Sequence, residues 1–334
     1  MIDRLKSALD PYILALLATV CLASVLPARG EWAGHFEWAA NAGIVLLFFL
    51  HGAKLSREAI IAGAGHWRLH LAVLSVTFVI FPLLGLAVGA IPGLPTLVAA
   101  GMLFLTLLPS TVQSSIAFTS IAGGNVAAAV CSASFSNILG LVVSPLLAAT
   151  LMGGKGGVHL TADQVERIVA QLLVPFIAGH LLRPVIGRFV NRHKQLVGYV
   201  DRGSILLVVY TAFSAAVIQG LWHQLPPAQL GLILVLNVLL LAVGLTVTWT
   251  LGKLLGFSRE DQIVLLFCGS KKSLASGVPI AGVLFPAAQV GVVILPLMLF
   301  HQIQLMACAV ISRQMAARRA GAAGHAAGAV PAKA

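Results

Sequence analysis

The segment Gly269-Ser-Lys-Lys-Ser-Leu-Ala-Ser-Gly277 interrupts a stretch of sequence that is otherwise apolar. Ile263-Val-Leu-Leu-Phe-Cys268 precedes it, and Val278-Pro-Ile-Ala-Gly-Val-Leu-Phe285 follows it. If this stretch crosses a bilayer, Lys271 and Lys272 lie near the midplane, where a charged side chain costs roughly 2.5–3.5 kcal/mol on insertion scales. The flanking glycines and serines predict that the helix is broken here. Charged residues in such a position indicate a functional site.

The composition is that of a membrane protein. Of 334 residues, 59% are hydrophobic and 9% are charged, whereas globular domains average about 25% charged residues. A hydrocarbon core about 30 Å thick is crossed by roughly 20 apolar residues in a helix. Ten apolar segments are predicted to be spans one to ten: residues 12–26, 38–52, 71–91, 97–122, 126–152, 168–182, 204–222, 229–251, 262–285 and 290–312.

The basic residues alternate between loops as the positive-inside rule requires. With the N-terminus in the cytoplasm, the cytoplasmic segments hold 16 of the 21 Lys and Arg residues. The external loops hold Arg29, Lys155 and Arg167, and the remaining two are Lys271 and Lys272. We therefore expect a multi-pass protein of the cell inner membrane with both termini in the cytoplasm. Topology and contact with anionic lipid explain the net charge of +11, which does not indicate nucleic-acid binding.

The residues that the spans lack argue against an enzyme. All ten carboxylates fall in loops or at the ends of spans, so the two membrane carboxylates of an aspartyl intramembrane protease are missing. The sequence has no His-Glu-x-x-His motif for zinc and no Gly-x-Ser-x-Gly motif for a serine nucleophile. The four cysteines lie within spans and have no metal-ligand spacing. We expect no metal site and no cofactor, with a bound sodium ion as the one open alternative.

The chain divides into two halves that share one irregular feature. Span four is interrupted at Leu108-Pro-Ser-Thr-Val-Gln-Ser-Ser115, and span nine is interrupted at Gly269–Gly277. We call these the first break and the second break. Because each half has an odd number of spans, the halves are predicted to be inverted repeats, and matched breaks in such repeats point to a transport site. The predicted division is a first repeat at 8–152, an external loop at 153–166, a second repeat at 167–312 and a basic cytoplasmic tail, rich in Ala and Gly and disordered beyond Arg319, at 313–334.

Polar residues in and beside the two breaks are the candidate binding residues. A break frees backbone N–H and C=O groups, which inside a membrane only protein or a polar cavity can satisfy. Span five brings hydroxyl and amide side chains, and span ten brings a histidine. The candidates for binding a solute or ion are Ser110, Thr111, Gln113, Ser114, Ser115, Ser132, Ser136, Asn137, Ser270, Lys271, Lys272, Ser273, Ser276 and His301. The candidate hinge residues are Pro109, Gly124, Asn125, Gly269 and Gly277.

The sequence resembles the bile acid:sodium symporter family, and in particular its divergent bile-acid-symporter-like branch. The resemblance covers nearly the whole chain and is carried by the Pro109 break, the Gly124-Asn125 turn before a serine-rich span five, and the Ser276-Gly277 end of the second break. It implies two inverted five-helix repeats in which the unwound helices four and nine cross. It also implies a core domain of spans three to five and eight to ten, and a panel domain of spans one, two, six and seven. Members of the family typically move organic anions with sodium.

The sodium ligands that the resemblance implies are changed in this chain. Sodium-coupled members read Pro-Gly-Gly-Thr-Ala-Ser-Asn at the first break, and of these ligands the chain keeps Ser114. An alignment on Ser276-Gly277 places the family's glutamate at Ser270, and an alignment shifted by one residue places it at Lys271. Neither alignment leaves a carboxylate. The other ligand positions fall on Ser115, Ala129, Ala133, Leu274 and Ala275.

Three uses of Lys271 and Lys272 are open at this point. An ammonium group near the crossing could take the place of a bound cation, a buried lysine could release and carry a proton, or the cation could pair with an anionic solute. We expect a secondary active transporter of a small organic anion that works by alternating access, with sodium or a proton as the coupling ion. The alternatives are a non-transporting membrane regulator or channel on the same scaffold, and an exchanger that resembles the cation/proton antiporters.

Overall fold

The computed structural model describes residues 11–54, 64–153, 166–224 and 226–328, which are helical apart from short connections and contain no strand. The helices, in chain order, are α1 Pro11–Val25, α2 Glu31–Lys54, α3 Trp67–Gly89, α4 Thr96–Leu107, α5 Gln113–Ala122, α6 Val126–Met152, α7 Glu166–Arg192, α8 Lys194–Ile218, α9 Pro227–Leu254, α10 Arg259–Gly269, α11 Leu274–Leu284 and α12 Ala287–Gly328. A single turn, Leu221–Gln224, follows α8. The prediction of an all-helical protein is confirmed.

Among the described residues, eight helical segments are long and apolar enough to cross a membrane, with α10 and α11 counted together as Arg259–Leu284. This confirms a polytopic membrane protein. The number of spans differs from the ten predicted because α1 is short, with 15 residues, and because the fourth span is split. Each half of that span is too short to cross alone: α4 has 12 residues and α5 has 10.

The two breaks are shorter in the structure than in the sequence prediction. In the first break, α4 ends at Leu107 and α5 begins at Gln113. In the second break, helix ends at Gly269 and resumes at Leu274. A helix rises about 1.5 Å per residue, so α4, α5, α10 and α11 each reach only part of the way across a bilayer.

The helices pack as two groups. Helices α1, α2, α7 and α8 contact one another, and α3 to α6 with α9 to α12 form the second group. The two groups meet mainly where α8 contacts α11 and α12. This grouping matches the panel and core that the resemblance implies. Within the panel, glycines bring α2 and α7 into backbone contact, because a Cβ atom at Gly52 or Gly179 would overlap the carbonyl group of Phe176 or Phe49.

The last helix extends farther than predicted. It continues to Gly328, whereas disorder was predicted beyond Arg319. Alanine has the highest helix propensity of any residue, and the Ala-rich sequence after Ser312 carries the helix onward. The Arg319 side chain, just before this extension, lies against Gly123 at the end of α5. Residues 8–10, 154–165 and 329–334 of the predicted division lie outside the described residues.

Candidate functional site

The first break is held by hydrogen bonds from α6. Pro109 has no N–H group, and the N–H of Ser110 donates to Ser136 Oγ at 3.0 Å instead of continuing the ladder of α4. Ser144 Oγ donates to the carbonyl oxygen of Leu107 at 2.7 Å. Side chains of α6 therefore satisfy backbone groups that the break has freed.

The second break is held by one side chain of α12. Gln304 Oε1 accepts from the N–H of Lys272 at 2.9 Å, and Gln304 Nε2 donates to the carbonyl oxygen of Lys272 at 2.8 Å. Both backbone groups of this non-helical residue are thereby paired. Ser273 then begins α11, because its Oγ accepts from the N–H of Ser276 at 3.2 Å and caps the helix.

The two breaks contact each other directly. The N–H of Ser273 donates to the carbonyl oxygen of Pro109 at 2.8 Å. Ser115 Oγ donates to the carbonyl oxygen of Phe267 at 3.0 Å. Each half of the chain therefore satisfies polar groups that are freed in the other half, and the two breaks form one site.

The Lys272 side chain is fully buried and points into the first break. Its Nζ donates to the carbonyl oxygens of Thr77, Thr106 and Leu108 at 2.9, 2.8 and 2.8 Å. The Phe81 ring centroid lies 4.4 Å from Nζ, which is a cation–π distance. Thr106 and Leu108 lie at the C-terminal end of α4, where the helix dipole places partial negative charge. Lys272 therefore neutralises this helix end and links the two breaks.

Lys271 is equally buried but has fewer polar partners. Its Nζ donates to Ser114 Oγ at 3.2 Å and lies 4.2 Å from the ring centroid of Phe118 and 5.7 Å from that of Phe267. Among the described residues, neither Lys271 nor Lys272 forms an ion pair with a carboxylate. The positive charge of Lys271 is therefore poorly compensated. It is in direct contact with the side chain of Ser114.

Two chains of hydroxyl groups run between the breaks and the open space beside them. In the first, Ser114 Oγ donates to Thr111 Oγ1 at 2.8 Å, and Thr111 Oγ1 lies 3.0 Å from Ser115 Oγ. In the second, Ser273 Oγ donates to Ser276 Oγ at 3.1 Å, and Ser276 Oγ donates to Asn137 Oδ1 at 2.7 Å. Both chains can rearrange their hydroxyl hydrogens to donate to a solute or accept from it.

A cavity of about 590 Å³ lies between the two groups of helices and reaches both breaks. We call it the main cavity. Three basic side chains, Lys54, Lys194 and Arg202, line its wall on the panel side. Among the described residues that line the cavity, Asp201 is the one carboxylate, and it forms an ion pair with Lys54. Ligand sites commonly enclose about 300–1,000 Å³, and an excess of basic over acidic groups suits an anionic ligand.

Half of the predicted binding residues line the main cavity: Thr111, Gln113, Ser114, Asn137, Ser273, Ser276 and His301. The others do not line it: Ser110, Ser115, Ser132, Ser136, Ser270, Lys271 and Lys272. Most of these residues instead form hydrogen bonds that hold the two breaks. Ser132 and Ser270 do neither, because Ser132 Oγ bonds to His70 Nδ1 at 2.7 Å and Ser270 Oγ donates to the carbonyl oxygen of Leu266 in its own helix at 2.5 Å.

The predicted hinge residues also divide. Pro109 lies in the first break, and Gly269 is the last residue of α10. Gly277 lies inside α11, where a Cβ atom would overlap the side chains of Leu108 and Leu297, so its role is close packing and not bending. In the turn after α5 the positive φ of +77° belongs to Gly123. The next two residues contact the other half of the chain: a Cβ atom on Gly124 would lie 2.6 Å from Ile263 Cγ2, and Asn125 Nδ2 donates to Asp261 Oδ1 at 3.1 Å.

Sequence reasoning missed the panel side of the cavity and the glutamine that holds the second break. Gln304 stands three residues after His301, so both share a helix face, and its Nε2 lies 2.9 Å from His301 Nδ1. Asp201 and Lys54 lie near the ends of α8 and α2, a position where charges are ordinary. Their contact is visible only when the panel is assembled.

The close contact between α6 and the first break gives a stability prediction. A Cβ atom at Gly140 would lie 2.6 Å from Pro109 Cβ and 2.7 Å from Pro109 Cγ. Gly140→Val is therefore expected to lower the free energy of unfolding by about 1–3 kcal/mol, because overpacking displaces the break. The measurement is the unfolding midpoint in detergent. Gly203→Ala is the matched control, since a Cβ atom there meets nothing within 4 Å; an equal loss in both variants would contradict the packing argument.

Comparison with known proteins places this site in context. Residues 10–317 match the model of the SBF-like CPA transporter family. The chain is 59% identical over 318 residues to an uncharacterized protein of Pseudomonas aeruginosa, with 94% of this chain and 95% of that protein covered. It is 53% identical over 315 residues to the Escherichia coli K12 protein named "Putative symporter YfeH", with 93% and 94% covered. It is 26% identical over 309 residues to sodium/bile acid cotransporter 7 of Danio rerio, with 88% and 90% covered.

Proposed function

Since the chain belongs to the SBF-like CPA transporter family, we propose that it is a secondary active transporter of a small organic anion that works by alternating access. Membership confirms the resemblance that the first break, the Gly124-Asn125 turn and the end of the second break indicated. It also makes the chain a symporter-type transporter and not an enzyme. The solute class, the coupling ion and the inner-membrane location are parts of the proposal.

The main cavity is the observation that carries the proposal. It lies between the panel and the core, ends on the two breaks, and has three basic groups and one carboxylate on its panel wall. Hydroxyl and amide groups on the core wall provide hydrogen bonds for a polar solute. Positive charge that lines a cleft raises the local concentration of anions. A small organic anion fits this combination of charge, polarity and volume.

A second, smaller cavity supports alternating access. It encloses about 310 Å³ on the other side of the panel–core contact and contains Glu37, Arg167 and Gln171. On the wall of this cavity α2 and α8 approach α11, because a Cβ atom at Gly282 would lie 3.4 Å from Ile44 Cδ1 and 3.5 Å from Val208 Cγ1. A rocking motion of the core against the panel would close the main cavity and open the second one.

Proton or sodium coupling is tested with purified protein in sealed liposomes. The probes are radiolabelled taurocholate, benzoate and succinate, offered under an imposed sodium gradient, an imposed proton gradient or neither. We expect at least one probe to accumulate above its equilibrium level under one of the two gradients and to leak out when an ionophore collapses that gradient. Accumulation of all transported probes only to equilibrium, with no response to either gradient, would identify a channel instead.

The basic rim of the main cavity gives a prediction about affinity. Lys194→Gln and Arg202→Gln are each expected to raise the KM for the transported anion about threefold to tenfold with the maximal rate unchanged, since exposed charges mainly steer association. Both side chains are exposed and line the cavity. Arg188→Gln removes an equally exposed charge away from the cavity and serves as the control. An equal rise in KM for the control would show that surface charge in general, and not the cavity, attracts the solute.

A further inference from the structure

The hydrogen-bond partners of Lys272 favour the charged form of its side chain. A neutral amine has two N–H donors, whereas an ammonium group has three. Lys272 Nζ has three carbonyl acceptors within 2.9 Å, on Thr77, Thr106 and Leu108. The ring of Phe81, whose negative face attracts a cation, also lies close to Nζ, with its centroid 4.4 Å away. Only the charged form satisfies all of these neighbours.

The three carbonyl groups are free for a physical reason that lies in the sequence. In α3 the turn Val76–Ile80 is a π-helix, and the N–H of Phe81 donates to the carbonyl oxygen of Val76. The next residue, Pro82, has no N–H to offer to Thr77. In α4 the N–H that would pair with Thr106 belongs to Ser110 and donates to Ser136 Oγ instead. Two separate interruptions, one in α3 and one at the end of α4, therefore aim three otherwise unpaired carbonyl oxygens at one point.

This point has the chemistry of a monovalent cation site. Backbone carbonyl oxygens that replace a hydration shell are how proteins bind such ions. Two of the carbonyl groups end α4, where the helix dipole favours a cation. The site is fully enclosed, since Lys272, Thr77 and Thr106 have no exposed surface.

We propose that the Lys272 ammonium group is a resident monovalent cation, supplied by the chain itself, that fills a carbonyl-lined ion site between α3, the first break and the second break. The positive charge that this site requires is then covalently fixed. It stays with the protein through every transport cycle, so no metal ion enters or leaves at this position. The consequence for coupling rests on the proposed transport function, but the site itself does not.

The test empties the site and offers a replacement ion. Lys272→Ala removes the ammonium group and leaves the carbonyl oxygens and a small space. We expect the unfolding midpoint of the variant in detergent to fall by roughly 5 °C or more. Ammonium or methylammonium chloride is then expected to restore part of this loss in a concentration-dependent way, as for any ligand that binds the folded state alone. Tetramethylammonium chloride, which has no N–H donor, controls for ionic strength and should restore nothing.

Two further samples make the result decisive. Lys271→Ala, whose lost ammonium group had one hydroxyl partner and no carbonyl partner, should show no selective response to ammonium. Wild-type protein, whose site is already filled by Lys272, should show no selective response to ammonium either. An equal response of the wild type and Lys272→Ala would overturn the proposal, and so would a Lys272→Met protein as stable as the wild type if Lys272→Ala fails to fold. So would a folded Lys272→Ala protein that ammonium does not stabilise. All of these readouts are independent of transport, so failure of the proposed function would leave them unchanged.

Discussion

Replacing Lys272 with methionine is expected to lower the free energy of unfolding by about 3 kcal/mol or more. Methionine fills a similar volume but donates no hydrogen bond. The carbonyl oxygens of Thr77, Thr106 and Leu108 would each lose a partner at 2.8–2.9 Å. A buried acceptor left unsatisfied costs about 1–3 kcal/mol, and removal of a buried charge offsets part of the sum. The break would lose the link that holds α3 and α4 to the second half.

The measurement is denaturant unfolding of the purified protein in detergent micelles. Lys271→Met is the matched control, because it removes an adjacent buried ammonium group that has no carbonyl partner. A loss of less than about 1 kcal/mol in Lys272→Met would contradict the view that three carbonyl groups depend on this side chain. The comparison of two neighbouring lysines separates hydrogen-bond satisfaction from the general effect of removing charge.

Lys271→Met is expected to lower the rate of anion uptake about tenfold or more while the free energy of unfolding stays within about 1 kcal/mol or rises. The ammonium group has one hydroxyl partner, Ser114, and two aromatic neighbours, so its burial is only partly compensated. An apolar side chain of similar length suits a pocket formed by Phe118 and Phe267. The lost function has an electrostatic cause, because Ser114 lines the main cavity and the charge behind it attracts an anion through a low-dielectric wall.

Uptake and unfolding are measured on the same preparation of Lys271→Met. Lys271→Arg keeps the charge and is expected to retain more uptake than the methionine variant, although its different shape disturbs the aromatic contacts. If Lys271→Met took up the anion at the same rate as the wild type, the charge would play no part in solute binding. Loss of stability together with uptake would show that Lys271 is structural, like its neighbour.

The sequence allows the breaks to be predicted because their causes are local. Pro109 removes a donor from a helix, and a lysine pair within an apolar span needs polar surroundings. The expected contact between the lysines and the first break is present, since Lys271 reaches Ser114 and Lys272 reaches Leu108. The family is likewise confirmed.

The partners of the lysines could not be predicted, because they depend on how distant backbones meet. The carbonyl oxygen of Thr77 is free owing to a π-helical turn that no composition rule marks. Gln304 pairs with Lys272 across 32 residues, and Lys54 pairs with Asp201 across 147. For the same reason the sequence grouped Ser132 and Ser270 with the binding residues although each bonds elsewhere. Residue type indicates what a side chain can do, and packing decides which neighbour it meets.

The two lysines therefore separate into two roles. Lys272 completes a carbonyl-lined site and holds the breaks together, whereas Lys271 places a poorly compensated charge beside the cavity. Of the three uses open from the sequence, the geometry supports cation replacement for Lys272 and attraction of an anionic solute for Lys271. Proton transfer by Lys271 fits the same position; it requires that uptake respond to the imposed proton gradient and that Lys271→Met abolish this response.

Side-specific thiol labelling tests alternating access without knowledge of the solute. Ala275→Cys places a thiol on the wall of the main cavity in a Cys21→Ala background, since Cys21 is exposed. A second protein also carries Ala216→Cys and Gly291→Cys, because a Cβ atom at Gly291 would lie 3.0 Å from Ala216 Cβ and a disulfide there would join the panel to the core.

The measurement is the rate at which an impermeant maleimide labels the thiol from each side of sealed vesicles of known orientation. We expect labelling from the side of Lys194 and Arg202, slower labelling from the opposite side, and loss of only the latter when the disulfide forms. Labelling from one side alone under every condition, or labelling from the opposite side that the disulfide leaves unchanged, would contradict alternating access around the two breaks.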